Sequence, residues 1–274
     1  MDPRAEQSHT KNSFSMQNGG SLNSPSLPRR NRRELLIFVL PNLFTTANLF
    51  CGFFSIISAI HGEWINASIA IMLAAFTDGL DGRIARLTNT QSAFGEQYDS
   101  MSDLVSFGVA PAILMYQWAL APYARLGWLA SFFFLSCAAL RLSRFNVLKQ
   151  STEKRYFQGC PSPIAACSIA SAVLFYQDLG FQAWKSVYML IVMFSLAAVM
   201  VSTIRYRSFK DLNFRSQRGF GYLLMFVVMM VLITANPERV LFPLFAFYVG
   251  IGPLAEFTRL LRRRIKGFPG TGRS

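Results

Sequence analysis

Eight stretches of this sequence are apolar over lengths that approach the roughly 20 residues an α-helix needs to cross hydrocarbon. They fall at about residues 38–60, 64–86, 100–121, 126–146, 163–179, 184–204, 220–235 and 240–260. Backbone inside a bilayer must satisfy its own hydrogen bonds, which reduces the available folds to very few. The composition agrees, with 52% hydrophobic and only 15% charged residues, against about 25% charged in an ordinary soluble domain. The prediction is an all-α, polytopic helical membrane protein of about eight transmembrane helices. Residues 1–33 are polar and rich in Ser, Asn, Pro and Arg, and read as a disordered cytosolic tail rather than a signal peptide. Residues 34–261 form the transmembrane domain and 262–274 a basic cytosolic tail. The fifth and seventh spans are short, with turns expected near Pro163 and Pro237, and no internal repeat or second domain is visible.

A net charge of +13 raises the question of nucleic acid, and the distribution of the charge answers it. With the amino terminus in the cytosol, six Lys and Arg lie in the first tail and six from Arg259 onward. Twelve more lie around 83–86, 141–155 and 205–218, which leaves Arg125, Lys185 and Arg239 on the other side. Twenty-four of 27 on one face is the positive-inside pattern, with both termini cytosolic, in what reads as a bacterial inner membrane. Arg262-Arg263-Arg264 and Lys266 are expected to meet anionic membrane lipids, and no nucleic-acid partner is expected. Cys51, Cys137, Cys160 and Cys167 are dispersed without metal-ligand spacing and read as small buried hydrophobes. His9 and His61 have no partners that would make them ligands.

Against this background one segment stands out. Residues 76–103, FTDGLDGRIARLTNTQSAFGEQYDSMSD, hold Asp78, Asp81, Glu96, Asp99 and Asp103, five of the fourteen acidic residues in the chain. The topology puts them at the cytosolic ends of the second and third spans. Asp78, Asp81, Gly82, Ala85 and Arg86 have helical spacing for one face. Asp99 and Asp103, four apart, share a face at the start of the third span, and Gly95 one turn earlier permits close approach. Glu96 falls outside the spacing and reads as a solvated loop residue. Four facing carboxylates cannot all stay ionised without a counter-charge. All-oxygen ligands suit a hard cation, Mg²⁺ or Mn²⁺. Two such ions could clamp a pyrophosphate during in-line displacement, while Gly82 and Ala85 leave room for a flat or bulky group.

The spacing D-x2-D-G-x2-A-R-x8-G-x3-D-x3-D resembles the signature of the CDP-alcohol phosphatidyltransferases, matched at Asp78, Asp81, Gly82, Ala85, Arg86, Gly95, Asp99 and Asp103. The resemblance implies a six-helix core, a homodimer and a di-metal site open to the cytosol. It further implies that Asp78, Asp81 and Asp99 are metal ligands. Asp103 would complete the second metal site and act as general base. Gly82, Ala85 and Gly95 would line the cytidine side, and Arg86 would support the phosphates or the acids.

Three further segments, NLFCGFFSI (48–56), LRLSRFNV (140–147) and FQGCPSPIAA (157–166), resemble the membrane-integrated phosphatidylserine synthases, with Cys160 and Ile164 departing from that pattern. The substrates implied are CDP-diacylglycerol and L-serine. Serine brings a carboxylate that needs a cation, and a guanidinium can grip it at two points. Arg141 and Arg144, at the cytosolic end of the fourth span, are therefore expected to bind serine or the phosphates, with Asn146 nearby. Asn42 and Thr45, close to one face of the first span, are expected near the phosphates. The 159–163 loop is either a substrate contact or a rigid lead into the fifth span. Other acceptors (choline, glycerol 3-phosphate, inositol) share the core signature. Intramembrane carboxylates also mark ion pathways, but here they gather at one membrane face.

Overall fold

The computed structural model describes residues 32–87, 92–150, 159–180, 187–202, 230 and 234–266. The expected span at 220–235 lies outside the described residues except for Met230, Thr234 and Ala235. The amino-terminal tail before Arg32 and the chain beyond Lys266 also lie outside them, as do all of the basic residues at 205–218.

Seven helices carry the described chain: α1 (Arg32–Ile60), α2 (Trp64–Leu87), α3 (Ala93–Tyr123), α4 (Arg125–Gln150), α5 (Ser162–Asp178), α6 (Val187–Val201) and α7 (Pro237–Lys266). The chain is a polytopic helical membrane protein. Among the described residues, α1, α3, α4 and α7 are long and apolar enough to cross a bilayer, and α6 is a shorter apolar helix. The 64–86 run forms α2 as expected, with Asp78, Asp81, Arg83 and Arg86 gathered in its last three turns. Helix α7 continues to Lys266, past the boundary expected at 261.

Helices α1 and α2 pack along their lengths, α2 also packs on α5, α4 on α6, and α5 on α7. The α1–α2 seam is built from small residues: Ala59, Ala67, Ala70 and Ala74 are buried, and the Ser55 hydroxyl donates to the Ala67 carbonyl at 2.8 Å. Lipid tails are as apolar as Leu, so close backbone approach and buried polar contacts hold such helices together. The outward faces carry the bulk, with Phe50, Phe53, Leu73, Phe76 and Phe132 more than half exposed.

Helix α3 departs from the expectation in two ways. It begins at Ala93, not near residue 100, because Ser92 caps it, its hydroxyl accepting from the Gly95 N–H at 3.0 Å. Glu96 therefore lies exposed in the first helical turn rather than in a loop, where an acid complements the helix dipole. The helix also widens into π-helical turns at Val105–Val109 and Tyr116–Leu120. Both turns end two residues before a proline, Pro111 and Pro122. A proline has no N–H to give and its ring collides with the carbonyl four residues back. Those carbonyls belong to Phe107 and Trp118, the middle residues of the two π turns, so the widening relieves both conflicts.

Candidate active site

Helices α1, α2 and α3 meet at the end of the bundle where α2 finishes and α3 starts. Asp78 on α2 and Asp99 and Asp103 on α3 each bring a carboxylate oxygen to within 4.8 Å of the other two. Asp78 and Asp103 approach within hydrogen-bonding reach. Two carboxyl groups this close are stable together only with a proton or a cation between them. The donor set is oxygen alone, without His or Cys, and fits a hard divalent cation held by Asp78, Asp99 and Asp103.

Asp81 lies outside that group of three, close enough to Asp78 and Asp99 for their charges to interact. It is only 4% exposed, and its carboxylate accepts from the Thr45 hydroxyl at 3.1 Å and from the Gly82 N–H. Thr45, expected near the phosphates, thus supports an acid. Asn42 sits beside Gly95: a Cβ on Gly95 would fall 3.3 Å from the Asn42 amide oxygen and 3.1 Å from the Ser92 hydroxyl. The close approach expected at Gly95 is made by this chain's own side chains. Ala85 and Arg86 continue α2, and their side chains lie outside the described residues.

A residue not singled out in the sequence reading completes the support. Asn48 is fully buried, and its amide donates to the Asp103 carboxylate at 3.2 Å. Around it α1 and α3 are laced together. The Ser102 hydroxyl donates to the Thr45 carbonyl at 3.1 Å, the Ser106 hydroxyl to the Asn48 carbonyl at 2.9 Å, and Thr46 and Tyr98 share a 3.0 Å hydrogen bond. A Cβ on Gly52 would collide with Ser106, so glycine is what allows this approach. The signal was present in the sequence: Asn42, Thr45, Asn48, Gly52 and Ser55 recur every three or four residues, the stripe of one helical face.

From α4, two of the three expected residues reach the site's neighbourhood. Asn146 donates to the Ser100 hydroxyl at 2.9 Å, next to Asp99 in sequence. Arg141 is near enough to Asp103 for the charges to interact, and its Nη1 donates to the buried Ser162 hydroxyl at 2.8 Å. Arg144 is exposed on α4. The Arg141 Nε and the Asn48 Oδ1 are both buried without a hydrogen-bond partner among the described residues. An unmet buried polar atom costs about 1–3 kcal/mol, and here one donor on α4 and one acceptor on α1 belong to residues that approach Asp103. The 159–163 loop is built rigidly: Gly159 has φ 87°, a Cβ there would strike the Met200 carbonyl, and the Cys160 N–H donates to the Val199 carbonyl at 3.3 Å. Cys137, Cys160 and Cys167 are buried, Cys51 is half-buried, and all four are free thiols. His61 is exposed, and its ring bonds the Ile57 carbonyl at 2.9 Å.

Residues 38–201 match the sequence model of the CDP-alcohol phosphatidyltransferase family. The chain is similar to the CDP-diacylglycerol–serine O-phosphatidyltransferase of Helicobacter pylori, 33% identical over 219 residues that span 79% of this chain and 90% of that protein. The archaetidylserine synthase of Methanothermobacter thermautotrophicus is 37% identical over 181 residues, 64% of this chain and 73% of its own. The Bacillus subtilis CDP-diacylglycerol–serine O-phosphatidyltransferase is 32% identical over 171 residues, 62% of this chain and 91% of its own.

Proposed function

The chain belongs to the CDP-alcohol phosphatidyltransferase family, and from that premise we propose that it transfers the phosphatidyl group of CDP-diacylglycerol to the hydroxyl of L-serine, releasing CMP. The observation that carries the reading is the grouping of Asp78, Asp99 and Asp103 on two helices. The serine acceptor is supported by the activities for which the bacterial relatives are named. In archaetidylserine synthase the acceptor in the name is again serine, although the lipid differs.

In this reading the serine hydroxyl oxygen forms a bond to the phosphorus that carries diacylglycerol. The bond from that phosphorus to the bridging oxygen of CMP breaks, CMP leaves with that oxygen, and the hydroxyl proton passes to the Asp103 carboxylate. Asn48 holds Asp103 in place for that transfer, and Thr45 does the same for Asp81. Two Mg²⁺ or Mn²⁺ ions held by Asp78, Asp81, Asp99 and Asp103 would neutralise the pyrophosphate and stabilise the attacking and leaving oxygens. Gly82 and Ala85 would leave space for the cytidine and Arg86 and Asn42 would support the phosphates, whereas Gly95 packs against Asn42 and Ser92. The transmembrane domain at 34–261 works as a homodimer in the inner membrane. Both its ends and its active site face the cytosol, and its basic carboxyl-terminal segment rests on anionic lipid.

The test is CMP release by the purified protein from CDP-diacylglycerol, with serine, choline, glycerol 3-phosphate and inositol offered in turn. Serine-dependent release that needs Mg²⁺ or Mn²⁺ is expected. Release with another acceptor and none with serine would sink the serine assignment. No release with any acceptor would favour ion transport.

A further inference from the structure

Two of the sequence segments described above, around Arg141 and around Ser162, are far apart in the chain and touch at one point. The Arg141 Nη1 donates to the Ser162 hydroxyl at 2.8 Å. Ser162 is the first residue of α5, 5% exposed, and stands between Pro161 and Pro163. Pro161 precedes the helix in an extended conformation, and Gly159 and Cys160 fasten the loop to α6. The serine hydroxyl is therefore presented from a backbone with little freedom. Arg141 comes from α4, with its charge near Asp103 and its buried Nε donor facing no acceptor among the described residues.

A guanidinium is planar, so a bond to one nitrogen fixes the direction of the others. With Nη1 tied to Ser162, the plane cannot rotate freely about the end of its side chain, and the Nε edge keeps one heading. We propose that Ser162 is a positioning residue for acceptor recognition: it locks the Arg141 guanidinium so that its Nε edge takes the carboxylate of the incoming amino acid while the acceptor's hydroxyl meets Asp103. The inference rests on the serine-transferase reading above and adds to it the device that selects a carboxylate-bearing alcohol over a neutral or cationic one. The oxyanion that suits a guanidinium could equally belong to the substrate's pyrophosphate. The proximity of Arg141 to Asp103, where the acceptor's proton is delivered, decides for the acceptor, because in serine the hydroxyl and the carboxylate are only a few bonds apart.

The experiment uses the full-length protein in detergent–lipid micelles, with CMP release measured against serine and CDP-diacylglycerol concentration separately. The wild-type protein is run first, with serine and with ethanolamine, which is serine without its carboxylate. For Ser162→Ala the serine KM is expected to rise about ten- to hundred-fold, the size of a lost hydrogen bond to a charged group. The KM for CDP-diacylglycerol should stay put and the preference for serine over ethanolamine should shrink by the same factor. In an Arg141→Lys background, Ser162→Ala should add almost nothing, since residues acting through one another are not additive. Ser162→Thr, which keeps the hydroxyl, should recover most of the loss. An unchanged serine KM in Ser162→Ala overturns the inference while leaving the serine reading intact. So does a rise in the CDP-diacylglycerol KM instead, which would put the anion on the pyrophosphate. Full additivity with Arg141→Lys also overturns it. A wild-type protein that ignores serine overturns both.

Discussion

Two places in this bundle hold carboxylates, and they are held in opposite ways. At the far end of α5, Asp178 meets Arg239 of α7 in a 2.6 Å ion pair with the arginine mostly exposed, an acid matched to a base at the surface. At the other end, Asp78, Asp81, Asp99 and Asp103 are gathered among themselves. The contacts that hold Asp81 and Asp103 in place include neutral donors, the Thr45 hydroxyl and the Asn48 amide. A charge that only ties two helices together is best matched by its opposite. Neutral donors instead fix a carboxylate's position while leaving its charge for a cation. The difference separates a structural acid from one kept for chemistry.

That contrast can be broken at several points. The largest effect is expected for Asp103→Asn, which removes both a proton acceptor and a ligand oxygen: CMP release should fall about 10²–10⁴-fold or more, with the helical circular dichroism unchanged. Chelation should abolish activity in the wild type, and added Mg²⁺ or Mn²⁺ should restore it. Asn48→Ala should cost about 10–100-fold in metal affinity or activity, the usual cost of losing a group that orients a ligand. It should be read as a shifted metal dependence with Asp103 still present. Gly52→Ala should act on stability first, by about 1–3 kcal/mol from overpacking against Ser106, seen as a lower thermal midpoint. The smallest effect is expected for Asp178→Asn, because exposed ion pairs contribute little; its CMP release should match the wild type. An Asp178 variant as inactive as Asp103→Asn would erase the distinction between the two regions.

Much of this was legible in the residues. The apolar runs specified helices in a membrane, and offsets of three and four put Asp78 with Asp81 and Asp99 with Asp103 on shared helical faces, but did not show that Asp81 would stand outside the group of three. What was less legible depends on contacts between helices. Asn48 looked like one polar residue in an apolar run until α3 was laid against it. Ser162 read as part of a loop motif, and only the arrival of Arg141 from α4 gives its hydroxyl a task. The start of α3 was misjudged because hydropathy marks where a helix becomes apolar, whereas the Ser92 cap marks where it begins.

The two π turns of α3 carry a consequence for how such a helix can change. Each contains one residue more than a regular turn would, and one residue of an α-helix corresponds to about 100° of rotation. The wide turn absorbs that residue, so the helix on either side keeps the aim it would have without it. Deleting a single residue between Val105 and Val109 should therefore restore a regular turn, with Asp99 and Asp103 on one side and Ala110 to Tyr123 on the other facing as they do now. What would return is the collision between Pro111 and the carbonyl four residues before it.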